Sequence, residues 1–376
     1  MRPCAAGVFF IPVIFILFLT SGCGQVEKPS GSEGWRQEPM HHARFFQIWE
    51  RGSDRMLLTF GPGGNTDTTG VFVQAGDSLG PRSPSGAVSF RKPLQRVALQ
   101  STTHASFITM LGCADAVVGC AHTGQLLDEA LVEKVRAGEV KEIASADGVD
   151  RERILMLAPD ALFTYPYGSG DKSLSNGAVP EVPVAEYLEE HPLGRAEWLK
   201  AFGVLLGREA LSDSLFAGIE ERYEKARASV PAKEAKPLVF FGSAWKGTWS
   251  VPSGNSYMAR LIGDAGGRYL FADRNATGNI DIDLETVLQE GAKADRWGRI
   301  LVQDGPVTAA DLAGDDARIL QLRVFKEHGC FYANSAQSDL FGQAVLEPDV
   351  VVRDLIGIFH PALEKGSEPV YYKPVQ

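Results

Sequence analysis

The feature that most constrains the fold of this chain is an alternation of strands and helices that begins near Arg96 and occurs twice. The first series has three strand candidates separated by helix-compatible segments, at 97–100, 116–119 and 161–165. The second series resumes after Pro237, with strand candidates at 238–241 and 300–303. Strands that alternate with helices form mostly parallel sheets with helices on their faces. The sequence therefore predicts two α/β lobes with parallel sheets.

A helical region separates the two series. Trp198, Phe202 and Leu205 form one apolar stripe, and Gly207 can end that helix. A longer helix then runs until Pro231 and has a charged face, as expected of a helix that joins two lobes. We predict three units, an N-terminal α/β lobe at 95–195, a helical region with the bridging helix at 196–231, and a C-terminal α/β lobe at 236–376.

The residues before the first lobe predict a tether and a small β unit. Residues 23–43 are polar and contain much Gly, Ser, Pro and Glu, which is typical of a flexible tether. Residues 44–90 are expected to form a small β unit followed by a loop, with strands at 44–50 and 56–60.

Residues 1–22 have the pattern of a signal peptide. Arg2 precedes an apolar run from Gly7 to Leu19, which is shorter than the roughly 20 residues that span a bilayer. The run leads into the sequence LTSGC, which resembles the lipobox of bacterial lipoproteins and makes Cys23 the site of diacylation. We therefore expect an extracytoplasmic protein anchored by lipid to the periplasmic side of the cell membrane or to the outer membrane. The alternative is an ordinary secretory signal followed by a chance cysteine.

Charge and motifs argue against several classes of function. The net charge of −10 argues against a nucleic-acid partner, because phosphate binding needs clustered Lys and Arg. The sequence contains no GxSxG, HExxH or GxxxxGK[ST] motif, and no GxGxxG between a strand and a helix. The sequence therefore indicates neither an enzyme nor a bound cofactor.

Histidines and cysteines give no clear metal or disulfide pattern. No two of the seven histidines lie three or four residues apart, so we expect no metal site built from protein ligands. Besides Cys4 and Cys23, the chain has Cys113, Cys120 and Cys330, without a CxxC pair. Cys113 and Cys120 could form a disulfide, or each could be a small buried hydrophobic residue.

Four fragments in order carry a resemblance to one family. Residues 152–160 (ERILMLAPD) and the strand after them resemble the E-x-I-L-x-L-x-P-D segment of the periplasmic binding proteins for iron complexes and cobalamin. Residues 257–267 (YMARLIGDAGG), together with 283–288 (DLETVL), are similar to the matching segment of the C-terminal lobe. The shorter fragments RAEW at 195–198, and DLI at 354–356 with His360-Pro361, also recur in lipoprotein members. The similarity covers roughly residues 95–364.

The resemblance implies a function and two docking residues. Members of this family bind a metal complex in a cleft between two lobes and deliver it to the permease dimer of an ABC importer. The connecting helix limits hinge closure, and one glutamate on each lobe contacts arginines of the permease. By motif those residues are Glu152 and Glu285. The alternative is that both are ordinary acidic residues in a first helical turn, which the helix dipole favours.

Ligand contacts are expected in loops that follow the C-terminal ends of strands. The candidates are Thr103, His104, Tyr165, Tyr167, Trp245, Trp249 and Tyr257. Their aromatic rings would suit a flat conjugated ligand, and packing between elements is the alternative for each ring. His104 could coordinate a metal held by the ligand, or serve as a hydrogen-bonding group.

The sequence therefore predicts a substrate-binding lipoprotein for a metal chelate, namely a ferric siderophore, haem or a corrinoid. Its predicted partners are this ligand, the permease dimer and, through the lipid, a membrane. A chelatase-like or hydrolytic enzyme on the same architecture, and a binder of free metal ions, remain as alternatives.

Overall fold

The computed structural model describes residues 34–75, 84, 86–145, 148–165, 177–233, 235–245, 248–314, 316–364, 366 and 368–375. The predicted signal peptide and Cys23 lie outside these residues. Within the described part of the chain, no helix is both long enough and apolar enough to cross a membrane.

The N-terminal β unit is larger than the two predicted strands. It is a five-stranded sheet in the order β1-β2-β3-β4-β5, with strands at Arg36–Gln37, Phe46–Arg51, Asp54–Phe60, Thr68–Gln74 and Val88–Phe90. The first three pairings are antiparallel, and β4 pairs with β5 in parallel. Gly52, with φ of 58°, supplies the left-handed turn between β2 and β3.

The predicted tether differs from the structure in its last part. Trp35 is only 4% exposed, and the Arg51 guanidinium lies 4.5 Å from the centre of its ring. β1 then pairs with β2, so residues 34–43 are held against the fold instead of forming a flexible linker. The apolar Trp35 within a polar segment is the sequence signal for this difference.

The N-terminal lobe has the predicted parallel sheet. Its strands run in the order β12-β11-β6-β7-β8, and every pairing is parallel. The bounds are β6 Val97–Leu99, β7 Val117–Cys120, β8 Lys141–Glu142, β11 Ala161–Thr164 and β12 Glu181–Pro183, with a small hairpin of β9 Ala144–Ser145 and β10 Gly148–Val149. Helices α1 Ala105–Met110, α2 Glu129–Arg136 and α3 Arg151–Leu157 belong to this lobe, and α4 Pro192–Leu206 and α5 Glu209–Ala228 follow it.

The C-terminal lobe also has a mainly parallel sheet, with one antiparallel strand at its edge. Its main sheet has the order β16-β13-β18-β19-β20, in which only β20 is antiparallel, and a second sheet has the order β14-β15-β17. The strands are β13 Leu238–Phe241, β14 Ser243–Trp245, β15 Thr248–Pro252, β16 Arg268–Tyr269, β17 Asn279–Ile282, β18 Arg296–Leu301, β19 Cys330–Asn334 and β20 Tyr372–Pro374. The helices are α6 Tyr257–Asp264, α7 Leu284–Gly291, α8 Ala309–Ala313, α9 Arg323–Lys326, α10 Gln343–Leu346 and α11 Pro348–Phe359.

Two consecutive helices, α4 and the longer α5, lie between the lobes. Nearly every residue of α4 is buried, including the charged Glu197. It contacts α1 in the N-terminal lobe, α6, α10 and α11 in the C-terminal lobe, and β2 and β3 of the β unit. α5 lies along α4 and α11 with its charged face outward. Gly207, with φ of 66°, ends α4 as predicted.

The three remaining cysteines are free thiols in the structure. Cys120 and Cys330 are buried and Cys113 is partly buried. Burial raises the pKa of the Cys120 and Cys330 thiols to about 12. In the structure Cys113 and Cys120 therefore pack as free thiols and do not form a disulfide.

Candidate functional site

The two lobes meet at the edges where their parallel strands end. Ser106 in α1, which follows β6, donates a hydrogen bond from Oγ to Asp339 Oδ2 in the loop after β19, at 3.1 Å. Asn255, just before α6, donates from Nδ2 to Glu190 Oε1 of the N-terminal lobe at 2.5 Å. This is the edge at which ligands bind in open α/β sheets, so the structure has its candidate cleft where the sequence predicts it.

A polar cluster at this boundary contains two of the predicted ligand residues. Thr103 Oγ1 donates to Glu186 Oε1 at 3.2 Å. Arg195 of α4 donates to the carbonyl oxygens of Tyr187 and Glu189, and its guanidinium lies 3.9 Å from the centre of the Tyr257 ring. Because Tyr257 begins α6, this cation–π contact joins α4 to the C-terminal lobe.

Burial changes the pKa of Glu186, the acidic side chain of this cluster. It raises the pKa of Glu186 to about 7, although the positive charge of Arg195 and the hydrogen bond from Thr103 favour the ionised form. Burial likewise raises the pKa of Glu189 to about 7, against hydrogen bonds from the backbone N–H groups of Phe45 and Arg44. Both carboxyls therefore change charge near neutral pH.

Glu186→Gln is expected to change stability in a pH-dependent way. The folded pKa is raised from 4.5 to about 7, so the neutral carboxyl stabilises the fold at low pH and this contribution is lost between those values. Relative to wild type, the variant should gain up to about 3 kcal/mol between pH 5 and pH 8. Urea unfolding of both proteins at each pH measures this difference, and a difference that does not change with pH would contradict the assignment.

His104 does not lie on the cleft surface. Its side chain is fully buried and neither ring nitrogen has a hydrogen-bond partner among the described residues. Nε2 lies 3.9 Å from Glu186 Oε2, and the ring lies 6.2 Å from that of Phe202. Burial lowers the pKa of His104 to about 3, so the ring is neutral. The His104 ring is therefore part of the core in this structure.

The aromatic candidates have separate environments. Trp249 is 2% exposed and packs edge-on against Phe240 and Trp297, with ring centres 5.6 and 5.5 Å away, so the packing alternative describes it. The backbone of Trp245 lies in the β14–β15 hairpin, opposite Thr248, and its side chain is outside the described part. Tyr165 is partly exposed and donates its N–H to Gln100 Oε1 at 3.1 Å. Tyr167 lies outside the described residues.

Two exposed apolar residues at the cleft edge were not predicted. Val302 follows the end of β18 directly and is 78% exposed, and Phe341, in the loop after β19, is 53% exposed. Both lie where parallel strands of the C-terminal lobe end. The sequence predicts that Val302 lies in the strand at 300–303, and no sequence pattern identifies Val302 or Phe341 as exposed.

Glu152 and Glu285 occupy corresponding places on the two lobes. Each lies in the first turn of a helix, α3 or α7, whose N-cap is an aspartate that accepts a backbone N–H. Each helix leads directly into a strand of the parallel sheet, β11 or β18. Such a helix runs opposite to the strands, so its first turn lies at the same edge as the strand C-terminal ends. Both glutamates are thus at the cleft side of their lobes.

The surroundings of the two glutamates differ. Glu152 is exposed and has no hydrogen bond or ion pair within the described ranges, and the next helical turn exposes Leu155 and Met156. Glu285 is also exposed and accepts from Arg318 Nη1 at 3.1 Å. An exposed ion pair contributes little to stability, so Glu285 can exchange Arg318 for another partner.

Two further features lie outside the cleft. A pocket of about 640 Å³ is lined by Arg296 and Cys330, which begin β18 and β19, so it lies at the opposite edge of the sheet. The side chains of His41, His42 and Glu220 come together where the N-terminal segment meets α5. No sequence pattern indicates this group, because Glu220 is far along the chain from the two histidines.

Comparison with known proteins agrees with the architecture. An uncharacterised lipoprotein of Methanocaldococcus jannaschii is 26% identical over 293 residues, which is 74% of this chain and 68% of that protein. A periplasmic haem-binding protein from Pseudomonas aeruginosa superposes with a TM-score of 0.59 at 16% identity, covering 75% of this chain and 98% of the other. A protein of an ABC-type Fe³⁺-hydroxamate transport system from Saccharomonospora viridis gives 0.56 at 18% identity, covering 72% and 95%.

The sequence itself identifies the family. Residues 97–297 match the family described as periplasmic binding protein, and these residues comprise most of the N-terminal lobe, the helices that join the lobes, and the first part of the C-terminal lobe. The predicted resemblance and the predicted fold class, two parallel-sheet α/β lobes joined by a helix, are both confirmed. The chain therefore belongs to the periplasmic binding protein family.

Proposed function

We propose that this protein captures a metal complex outside the cytoplasm and delivers it to the permease dimer of an ABC importer. The observation that carries the proposal is the matched placement of Glu152 and Glu285 in the first turns of α3 and α7. A permease with one basic patch on each half could contact both carboxylates at once. Because both lie at the cleft side, the same contact would bring the ligand to the permease.

The surfaces at the lobe boundary support a partly apolar, conjugated ligand. Val302 and Phe341 offer exposed apolar surface, and Arg195 and Tyr257 offer a cation and an aromatic ring. Rings and guanidinium groups of this kind suit a flat ligand with acidic substituents. The names of the similar structures include haem-binding and Fe³⁺-hydroxamate transport proteins. We therefore favour a ferric siderophore, haem or a corrinoid.

Uptake in living cells tests this function. Cells without the chain are expected to accumulate one of these complexes poorly when it carries a radioactive metal, and the wild-type chain supplied in trans should restore uptake. Free metal ions of the same isotope serve as the control and should enter equally in both strains. Equal uptake of all three complexes with and without the chain would overturn the proposal.

The structure gives little support to an enzyme. The group best suited to act as a base is Glu186, whose pKa is about 7, but its side chain is buried. Its neighbour His104 is fully buried as well, so neither group is placed to reach a substrate. A general base must come within hydrogen-bond distance of the proton that it removes. We therefore propose binding and delivery without catalysis.

We also propose that Cys23 carries the lipid that anchors the chain. The relative from Methanocaldococcus jannaschii is itself named a lipoprotein. Cys23→Ser is expected to abolish palmitate labelling and release the protein from the membrane fraction, because the acylated thiol is lost. Cys113→Ser is the matched control and should leave labelling unchanged. Palmitate that persists on the Cys23 variant would contradict the assignment.

A further inference from the structure

The segment that contains His41 and His42 is fixed by a buried carboxylate of α4. The Glu197 side chain accepts the backbone N–H groups of His41, His42 and Ala43 at 2.9, 2.8 and 2.7 Å. Glu197 itself is fully buried. Three hydrogen bonds to one charged group hold this part of the backbone firmly against the helix. The backbone that carries the two imidazoles is therefore held in one position.

Both imidazoles point toward one carboxylate on α5. His41 Nδ1 lies 3.4 Å and His42 Nε2 lies 2.7 Å from Glu220 Oε1. The ligand atoms of the three side chains all lie within 4.8 Å of one another. Nitrogen and oxygen ligands about 2.0–2.1 Å from a tetrahedral ion are separated by roughly 3.3 Å, so only small side-chain movements would let all three bind one ion.

The ring of His42 is also held in place by its neighbours. It stacks on the ring of His191 with centres 4.7 Å apart and planes at 24°, and Phe216 approaches its edge at 6.3 Å. His191 accepts the backbone N–H of Leu193 through Nδ1, which fixes the stacking ring in turn. A ligand ring that is already oriented loses less freedom when it binds a metal.

We propose that His41, His42 and Glu220 form a binding site for a divalent transition-metal ion, with Zn²⁺ as the best match. Two imidazoles and one carboxylate are a ligand set that Zn²⁺ uses, with water in the remaining position. The site lies at the junction of the N-terminal segment with α5, apart from the lobe boundary. A bound ion would fasten the segment that follows the predicted lipid anchor to the helices that join the lobes.

Calorimetric titration of the tag-free full chain in detergent with Zn²⁺ tests the proposal. We expect one equivalent to bind with micromolar or tighter affinity and to raise the unfolding temperature. His42→Ala and Glu220→Gln should each weaken binding at least tenfold. The matched controls are His328→Asn, an exposed histidine elsewhere, and Glu221→Gln, the next residue on α5, and both should bind as wild type. Co²⁺ should give visible absorption bands of a tetrahedral site in wild type and in both controls, but not in His42→Ala or Glu220→Gln.

Two results would overturn this inference. One is a wild-type protein that binds no stoichiometric Zn²⁺, which would leave the three side chains as a hydrogen-bonded group. The other is binding that survives in His42→Ala and Glu220→Gln, which would place the ion elsewhere. Circular dichroism of each variant without metal verifies that the fold is intact. Affinity for haem or a ferric siderophore is measured on the same samples and should not change, so failure here is distinguishable from failure of the proposed function.

Discussion

Reversing both docking charges, with Glu152→Arg and Glu285→Arg in one chain, is expected to abolish uptake of the metal complex. Basic groups on the permease would then face like charges on both lobes, and such contacts cost several kcal/mol. Since each 1.4 kcal/mol is a factor of ten, docking should weaken on the order of a hundredfold or more. Each single variant should lose part of the docking affinity. Uptake of labelled complex in cells that carry each variant is the measurement.

The same variants should leave the isolated protein intact. Both side chains are exposed, so we expect stability to change by roughly 0.5 kcal/mol or less and ligand affinity to stay the same. The matched control is Glu290→Arg, the same reversal at the other end of α7, which should transport normally. Normal uptake by the double variant would leave both glutamates as ordinary first-turn acids. Lost ligand affinity would instead place the cleft at one of them.

The second large effect is expected for Trp249→Ala, as a loss of stability. The indole is 2% exposed and packs edge-on against the stacked rings of Phe240 and Trp297. Truncating a buried aromatic of this size costs about 3–5 kcal/mol, because it removes apolar contacts and leaves a cavity. Denaturant unfolding should show this loss. A stable variant with weakened ligand affinity would contradict the packing role and restore Trp249 as a ligand contact.

Phe341→Ala is the comparison for Trp249→Ala at the cleft edge. The Phe341 ring is 53% exposed, so its removal should change stability by roughly 0.5 kcal/mol or less. If the ring covers a bound ligand, affinity should fall by about 1–3 kcal/mol. The pair of variants thus separates the two roles that aromatic residues near strand ends can have.

Most of the fold could be predicted because local patterns and tertiary structure agree. The strand at Leu238–Phe241 has the predicted bounds, since it is a short apolar segment that follows Pro237. The connection between the lobes contains α4 as well as the longer helix that the sequence predicts. Most residues of α4 are buried, whereas the charged face of α5 lies toward solvent.

The candidate site was less predictable, because it depends on contacts between distant parts of the chain. The strand-end rule led to Thr103 and Tyr257, which lie at the lobe boundary, but it could not tell partly exposed Tyr165 from buried His104 and Trp249. The exposure of a side chain that follows a strand depends on which other elements pack against that side chain. Arg195 and Glu186 belong to the same cluster, and only the fold brings them beside Thr103 and Tyr257.

The central claim is capture of a metal complex, and an ultraviolet–visible titration of the purified, tag-free full chain tests it most directly. Haem, cobalamin and ferric siderophores are added in turn, with free Fe³⁺ as the control. We predict saturable spectral change with one class of complex at a one-to-one ratio and micromolar or tighter affinity. Phe341→Ala should weaken it, and Glu152→Arg should not. Saturation by none of the three complexes would contradict the account.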